Sequence, residues 1–285
     1  MAQIGVSAMK RIEDLLDTGS FVEIGSYISS RNTDFNLSDK ETPKDGVLTG
    51  YGTINDSLVY VYSQDPSVLG GSIGEMHAKK IVSLYDMAMK MGAPVIGLVD
   101  CAGLRLEESF DALDAFGKIY LAQTKASGVI PQIQAVFGLS GGGMAISNGL
   151  SDFVFMEQDK AKVFVNSPNA INGNSQDKKD FSSAKFQSES TGLVDFIGTE
   201  SEIISGIREL ISVLPANNED DMSYIECMDD LNRLTPELEG RISDPSLALN
   251  IISDSGYVLE VKKNFAREMF TGFIRLNGNT VGVVA

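Results

Sequence analysis

The sequence predicts an α/β domain in which buried, parallel strands alternate with helices. Three observations carry that expectation. Residues 95–99 and 133–137 are continuous apolar runs, the mark of strands covered on both faces. Each is followed by small, turn-forming residues and then by apolar positions at helical spacing. The unit of strand, loop and helix recurs along the chain, and in such domains the strand C-termini carry the chemistry.

In chain order, residues 8–16 read as an amphipathic helix closed by the turn Asp17-Thr18-Gly19-Ser20. Residues 21–28 are extended, and the polar stretch 29–46 is expected to be an exposed loop. Residues 47–54 and 58–62 form a β-hairpin across Asn55-Asp56. A loop over 64–74 leads to a helix marked by Ile73, Met76, Ile81, Leu84, Met87, Ala88 and Met91, which Gly92-Ala93-Pro94 stops. After the strand at 95–99 come a loop over 100–105 and a helix from about 107 to 124. The strand at 133–137, a glycine loop and its helix follow. Residues 153–156 and 163–165 read as further strands, and 180–190 and 200–213 as helices.

Residues 214–244 are strongly acidic, with only Arg233 and Arg241 among many carboxylates. They read as a solvated connector with some helix, extending to about residue 260, that closes a main domain over 1–260. Residues 271–283 then align without gaps on 49–61, sharing threonine, glycine, aromatic, asparagine and two valines. This predicts that 261–285 are the opening strands of a second copy of the domain.

The net charge of −16 and pI of about 4.4 argue against a nucleic-acid partner. They also require local cations wherever an anionic cofactor binds. Cys101 and Cys227 lack the spacing of a zinc site or disulfide framework, so a cytoplasmic setting is expected. The N-terminal residues show no signal peptide, and no apolar run reaches membrane-spanning length, so no membrane insertion is expected.

The organising stretch is Phe137-Gly138-Leu139-Ser140-Gly141-Gly142-Gly143-Met144-Ala145. Its glycines let the backbone approach a ligand and aim N–H groups outward from a helix N-terminus. Donors so aimed stabilise a developing oxyanion such as a thioester enolate. Three alternatives stand beside this. One is a strand-to-helix turn without a ligand. Another is a serine nucleophile, because 138–142 satisfies G-x-S-x-G, but the single histidine, His77, lies upstream rather than downstream. The third is phosphate binding, although no Gly-Lys-Ser/Thr follows and a Walker loop is excluded.

Gly70-Gly71-Ser72-Ile73-Gly74-Glu75-Met76-His77-Ala78-Lys79-Lys80 is a glycine-rich approach to a helix with a basic pair one turn in. Lys79 and Lys80 are candidates to neutralise CoA phosphates; a solvated helix face is an equal reading. His77, alone on a helix, reads as structural. Asp100-Cys101-Ala102-Gly103-Leu104-Arg105-Leu106-Glu107-Glu108 follows a buried strand. Its small residues can present a backbone N–H, and Arg105 suits either an anion or the loop's own carboxylates.

Together these stretches resemble the carboxyltransferase subunits of biotin-dependent acyl-CoA carboxylases, of the propionyl-CoA carboxylase β type, and the related biotin-dependent decarboxylases. The likeness runs from Leu15-Leu16-Asp17-Thr18-Gly19-Ser20-Phe21 through Thr42-Pro43-Lys44-Asp45-Gly46-Val47 to the last residue. The family's G-G-S-[LI]-G-E-x-H-A-K-K stands complete at 70–80, and Ala126-Ser127-Gly128-Val129-Ile130-Pro131-Gln132-Ile133 is equally close.

The resemblance implies a crotonase-like fold, a spiral of ββα units, with two such domains in the full subunit and assembly into a homo-oligomer. The first domain would bind acyl-CoA. The second would face carboxybiotin, borne on a biotin carboxyl carrier protein and charged by biotin carboxylase. The active site would lie between domains of different subunits. Carboxybiotin would release CO2, biotin would take the acyl α-proton, and the thioester enolate would attack CO2; no metal is implied. A decarboxylase subunit running the half-reaction in reverse, and a non-catalytic acyl-CoA binding module, are the alternatives.

Position by position, the family's A-G-G-A donors fall on Gly142 and Gly143. Its S-G-G-A-R loop falls on 101–105, so the N–H groups of Gly103 and Leu104 would line the thioester pocket. Gly70, Gly71, Ser72, Gly74, Lys79, Lys80, Arg105 and Gly141 are expected around the CoA substrate. The chain departs from the family at Leu139-Ser140-Gly141, Cys101-Ala102, Leu104 and Glu107, and the last two bear on acyl specificity. The polar region 166–190, with Ser167-Pro168, replaces a Gly-Pro segment and is expected to cover part of the CoA site.

Overall fold

A computed structural model describes residues 7–33, 41–166, 180–220 and 224–285. Its main sheet contains β1 (Val22–Ile24), β2 (Val47–Ile54), β3 (Ser57–Gln64), β4 (Val95–Cys101), β5 (Gln132–Gly141), β6 (Phe153–Glu157), β7 (Lys162–Phe164) and β8 (Phe196–Gly198). The order is β1-β2-β3-β4-β5-β6-β8, with β7 also beside β5. The first three strands are antiparallel, and every pairing from β3 onward is parallel. The helices are α1 (Ala8–Leu15), α2 (Glu75–Met91), α3 (Ser109–Ala126), α4 (Gly143–Gly149), α5 (Ala184–Glu189), α6 (Glu200–Val213) and α7 (Pro245–Ile252).

Alternation along β4 explains the unbroken apolar run. Val95, Val99 and Cys101 pack with Ile81, Leu84, Phe116 and Ile119 of α2 and α3. Ile96 and Leu98 pack with Ile12, Leu15, Ile207 and Leu210 of α1 and α6. Helices cover both faces, so neither parity can be polar. Gly92 stops α2 in the left-handed conformation, and Thr199 with Glu202 forms a capping box at α6.

β5 departs from the expected loop at 138. It continues to Gly141, pairing first with β6 and then, beyond a bend, with β7. At the bend Val99 faces Val136 and Cys101 faces Ser140, so Asp100 alone stands opposite Phe137, Gly138 and Leu139. This bulge re-aims both strand ends.

One other expectation is corrected. The stretch 29–46 is not wholly an exposed loop: Thr42 is buried, and Pro43–Gly46 forms a tight turn whose Asp45 is fully buried. Residues 34–40 lie outside the described residues. Residues 245–261 hold regular elements. α7 caps on Asp244, and β9 (Val258–Val261) pairs with β10 (Thr271–Leu276), which pairs with β11 (Asn279–Val284) in a second, three-stranded sheet.

That second sheet repeats the N-terminus more fully than the hairpin alignment indicated. α7 corresponds without a gap to α1, Asp254 to Asp17, Gly256 to Gly19, and Leu259-Glu260-Val261 to Val22-Glu23-Ile24. Gly19 and Gly256 both hold positive φ, 76° and 73°. Glu23 pairs with Gly50, and Glu260 with Gly272. Asp17 accepts the Asn55 and Asp56 amides at 3.2 and 3.0 Å; Asp254 accepts those of Asn277 and Gly278 at 3.0 and 2.7 Å. In both copies, then, a carboxylate after the helix clamps the tip of the hairpin.

The amide of Asp56 and the side chain of Arg208 hold the Asp17 carboxyl well below the usual range. Asp17→Ala is expected to lower unfolding free energy by about 1–3 kcal/mol in urea titrations near neutral pH. A depressed carboxyl contributes fully above its unfolded value of about 3.9. The deficit of the variant should therefore shrink as pH falls from there through the lower folded value.

Candidate active site at two touching bends

The glycine-rich approach to α2 lies zipped against the bend after β4. The Ala102 N–H donates to Gly70 O at 2.9 Å, Ile73 N–H to Gly103 O at 2.9 Å, and Arg105 N–H to Ile73 O at 3.0 Å. In that parallel bridge the Leu104 N–H points away from Ile73. A Cβ at Gly71 would fall on the Asp100 carbonyl, and one at Gly74 on Glu108 and Arg105. These glycines serve close backbone packing, and the Ser72 carbonyl and hydroxyl face the Arg105 guanidinium.

The second bend follows β5. Gly142 holds φ of 60°, and Gly143 opens α4 with its carbonyl accepting from Tyr120 Oη at 2.7 Å. A Cβ on Gly103 would sit 3.3 Å from Gly141 O, and one on Gly141 2.8 Å from Ala102 O. The two bends therefore touch backbone to backbone at the C-terminal ends of adjacent parallel strands.

Of the four expected backbone donors, two are already engaged. The Gly142 N–H donates to Phe164 O at 2.9 Å, because β5 continues into its ladder with β7. The Gly103 N–H turns toward Cys101 Sγ at 3.4 Å. Among the described residues, no acceptor in the chain takes the Leu104 or Gly143 N–H.

Two of the expected CoA-binding side chains are engaged inside the protein. Arg105 is fully buried, its Nη1 bonded to Asp45 at 2.6 Å and Glu108 at 2.8 Å, and its Nη2 to Ser72 O at 2.8 Å. The Lys80 ammonium is buried on the Lys44 and Val47 carbonyls, and desolvation pulls it down to about 8. A burial of this kind is invisible to helical spacing, which places Lys79 and Lys80 side by side. Lys79 is exposed and pairs with Glu75 at 2.7 Å.

His77 is buried between Asp45 and Gln64, and burial, reinforced by the Arg105 charge, keeps it neutral. Ser140 is buried, with its Oγ accepting from Asn148 Nδ2 at 3.0 Å. With the single histidine held by Asp45 and Gln64, Ser140 lacks the partner that the serine hydrolase alternative requires of His77. Burial pushes the Cys101 thiol up to about 12. The sequence reading missed Asp45, Gln64 and Tyr120 as supports of the site. No local pattern marks them, since their partners are remote in sequence. Ser167-Pro168 lies outside the described residues. Two larger clefts, of about 520 and 730 Å³, contain no residue of either bend.

Among the described residues no helix is long and apolar enough to cross a membrane, and no group of three His, Cys, Asp or Glu side chains could hold a metal ion.

A mixed α/β domain with a parallel-rich sheet is the architecture of crotonase-fold carboxyltransferases. The carboxyl transferase domain description matches residues 6–285, and the chain belongs to that family. It is 38% identical over 291 residues to the propionyl-CoA carboxylase beta chain of Roseobacter denitrificans, covering 98% of this chain and 57% of that one. It is equally 38% identical to the methylmalonyl-CoA decarboxylase subunit alpha of Propionigenium modestum, covering 98% and 56%. The transcarboxylase 12S structure with hydrolysed methylmalonyl-coenzyme A bound superposes with a TM-score of 0.92 at 34% identity, again over 98% of this chain and 56% of that one. The chain thus spans little more than half the length of these relatives.

Removing one member of the Arg105 cluster strands buried charge. Arg105→Met is expected to cost about 3–5 kcal/mol in denaturant unfolding, because Asp45 and Glu108 lose their counter-charge. Lys79→Ala, on the exposed face of the same region, should change stability by no more than about 0.5 kcal/mol.

Proposed function

We propose that this chain is the acyl-CoA half of a biotin-dependent carboxyltransferase. The Leu104 and Gly143 amides would hold the thioester oxygen as negative charge develops on it. The observation that carries this reading is a pair of amides, on two bends in backbone contact, that no acceptor among the described residues takes. Family membership and the transcarboxylase likeness support the same chemistry.

The enolate needs donors in place before charge appears, and rigid backbone amides supply them without reorganisation. The proton acceptor would be biotin, consistent with a site whose own histidine, serine and cysteine are buried and engaged. In carboxylation the α-carbon–hydrogen bond breaks and the new carbon–carbon bond to CO2 forms. Reversed, the same donors would stabilise the enolate left when methylmalonyl-CoA gives up CO2. The likeness to both carboxylase and decarboxylase subunits fits a half-reaction that runs either way.

The proposed partners are a biotin carboxyl carrier protein, a biotin carboxylase, and a second domain facing the biotin. The repeat from α7 to β11 supports that second domain, which would start near Asp244. Homo-oligomeric assembly would complete the site between subunits. Leu106 and Phe110, 80% and 83% exposed beside the Leu104 bend, are apolar side chains that such a neighbour would cover. Lys79 is proposed as a phosphate contact for CoA, the remaining member of its basic pair. Isothermal titration with propionyl-CoA should show saturable binding that free CoA competes away; absence of binding contradicts the proposal.

Leu104→Pro deletes one proposed donor, an amide that no acceptor among the described residues takes. The expected result is a loss of about 10²–10³-fold in affinity for a CoA thioether bearing a nitronate, a stable enolate mimic, with affinity for CoA little altered.

A further inference from the structure

A continuous line of buried polar groups runs beneath the two bends. Glu108 and Asp45 hold Arg105 at 2.8 and 2.6 Å. The Asp45 carbonyl lies 2.9 Å from His77 Nδ1, and its carboxylate accepts the His77 N–H at 2.7 Å. His77 Nε2 lies 3.2 Å from Gln64 Nε2, and Gln64 Oε1 accepts the Asp100 N–H at 3.3 Å. Asp100 Oδ1 accepts the Leu139 N–H at 3.1 Å, across the bulge.

We propose that His77 and Gln64 are positioning residues: the imidazole, fixed as its Nδ1–H tautomer by the Asp45 carbonyl, orients the Gln64 amide, which sets the bulge at Asp100 from which both bends spring. The assignment rests on the functional reading only for the task given to the Leu104 amide.

The logic is one of donors and acceptors. A backbone carbonyl can only accept, so Nδ1 must carry the proton. The neutral ring then offers a lone pair at Nε2, and the Gln64 NH2 is its donor. That leaves the amide oxygen for the Asp100 N–H. Reversing the amide would set oxygen against a lone pair at one end and donor against donor at the other. The charged groups around the ring are Asp45, Arg105 and Lys80; burial and the two cations disfavour a second proton.

Asp100 transmits the arrangement. It alone faces Phe137, Gly138 and Leu139, so the regular ladder leaves the Leu139 N–H without a strand partner. The carboxylate supplies the acceptor, and Gly138 lacks a Cβ where that carboxylate lies. Arg11, 3.6 Å from Asp100, stacks over Phe137 at 4.6 Å and closes the line against Glu200 at 3.4 Å.

The single histidine makes the test direct. Imidazole ¹⁵N NMR of the labelled chain should show Nδ1 protonated and Nε2 bare throughout about pH 6–8, where a free imidazole titrates. A protonated Nε2 would overturn the proposal. In Gln64→Met the Asp100 amide should exchange with solvent at least about tenfold faster, and the Leu104 and Leu139 resonances should shift while those of Asn55 and Asp56 stay in place. Unmoved Leu104 and Leu139 resonances would overturn it. Gln64→Glu, as the neutral acid, keeps both a donor for Nε2 and an oxygen for Asp100, so Asp100 protection should persist at a pH where the introduced carboxyl is protonated; its loss there would also overturn the proposal, even if Gln64→Met does not fold. In Gln64→Met, nitronate-analogue affinity should fall about tenfold against unchanged CoA affinity. If the parent chain binds neither ligand, the functional reading fails, and the ligand-free NMR still decides the positioning roles.

Discussion

The buried guanidinium of Arg105 is the interaction around which the site is built. It carries a full charge at zero exposure, held between two carboxylates and a carbonyl. Desolvating three ions is expensive, and their attraction recovers the cost only in one tight geometry. That demand joins the Pro43–Gly46 turn, the approach to α2 and the bend after β4 into one rigid unit. Loops that would otherwise sample many conformations are thereby confined.

Around that anchor the glycines have distinct tasks. Those at 71 and 74 let two backbones run side by side, and Gly138 leaves room for a carboxylate. Gly141 and Gly103 let the two bends meet. Catalysis by backbone amides demands this kind of placement, since an amide has no side-chain rotamers with which to correct a misplaced loop.

Much of this was legible in the sequence. The apolar runs located β4 and β5, and glycine and proline punctuation located the end of α2. The hairpin alignment disclosed the repeat, although Asp17-Thr18-Gly19 and Asp254-Ser255-Gly256 could have extended it to the helix. What stayed hidden was partnership across distance. Nothing local to Lys80 separates it from Lys79, yet one is buried on carbonyls and the other faces water. Asp45 sits in a polar stretch that reads as surface. Gly142 looked like a free donor because the extension of β5 into a pairing with β7 has no local signature.

The proposed chemistry depends on where a thioester oxygen comes to rest. A crystal structure of the chain with the nitronate-bearing CoA thioether tests this directly. A nitronate oxygen is expected within about 3 Å of both the Leu104 and Gly143 nitrogens, at the seam between the bends. An oxygen bound elsewhere, or either amide turned onto a protein acceptor in the complex, would contradict it.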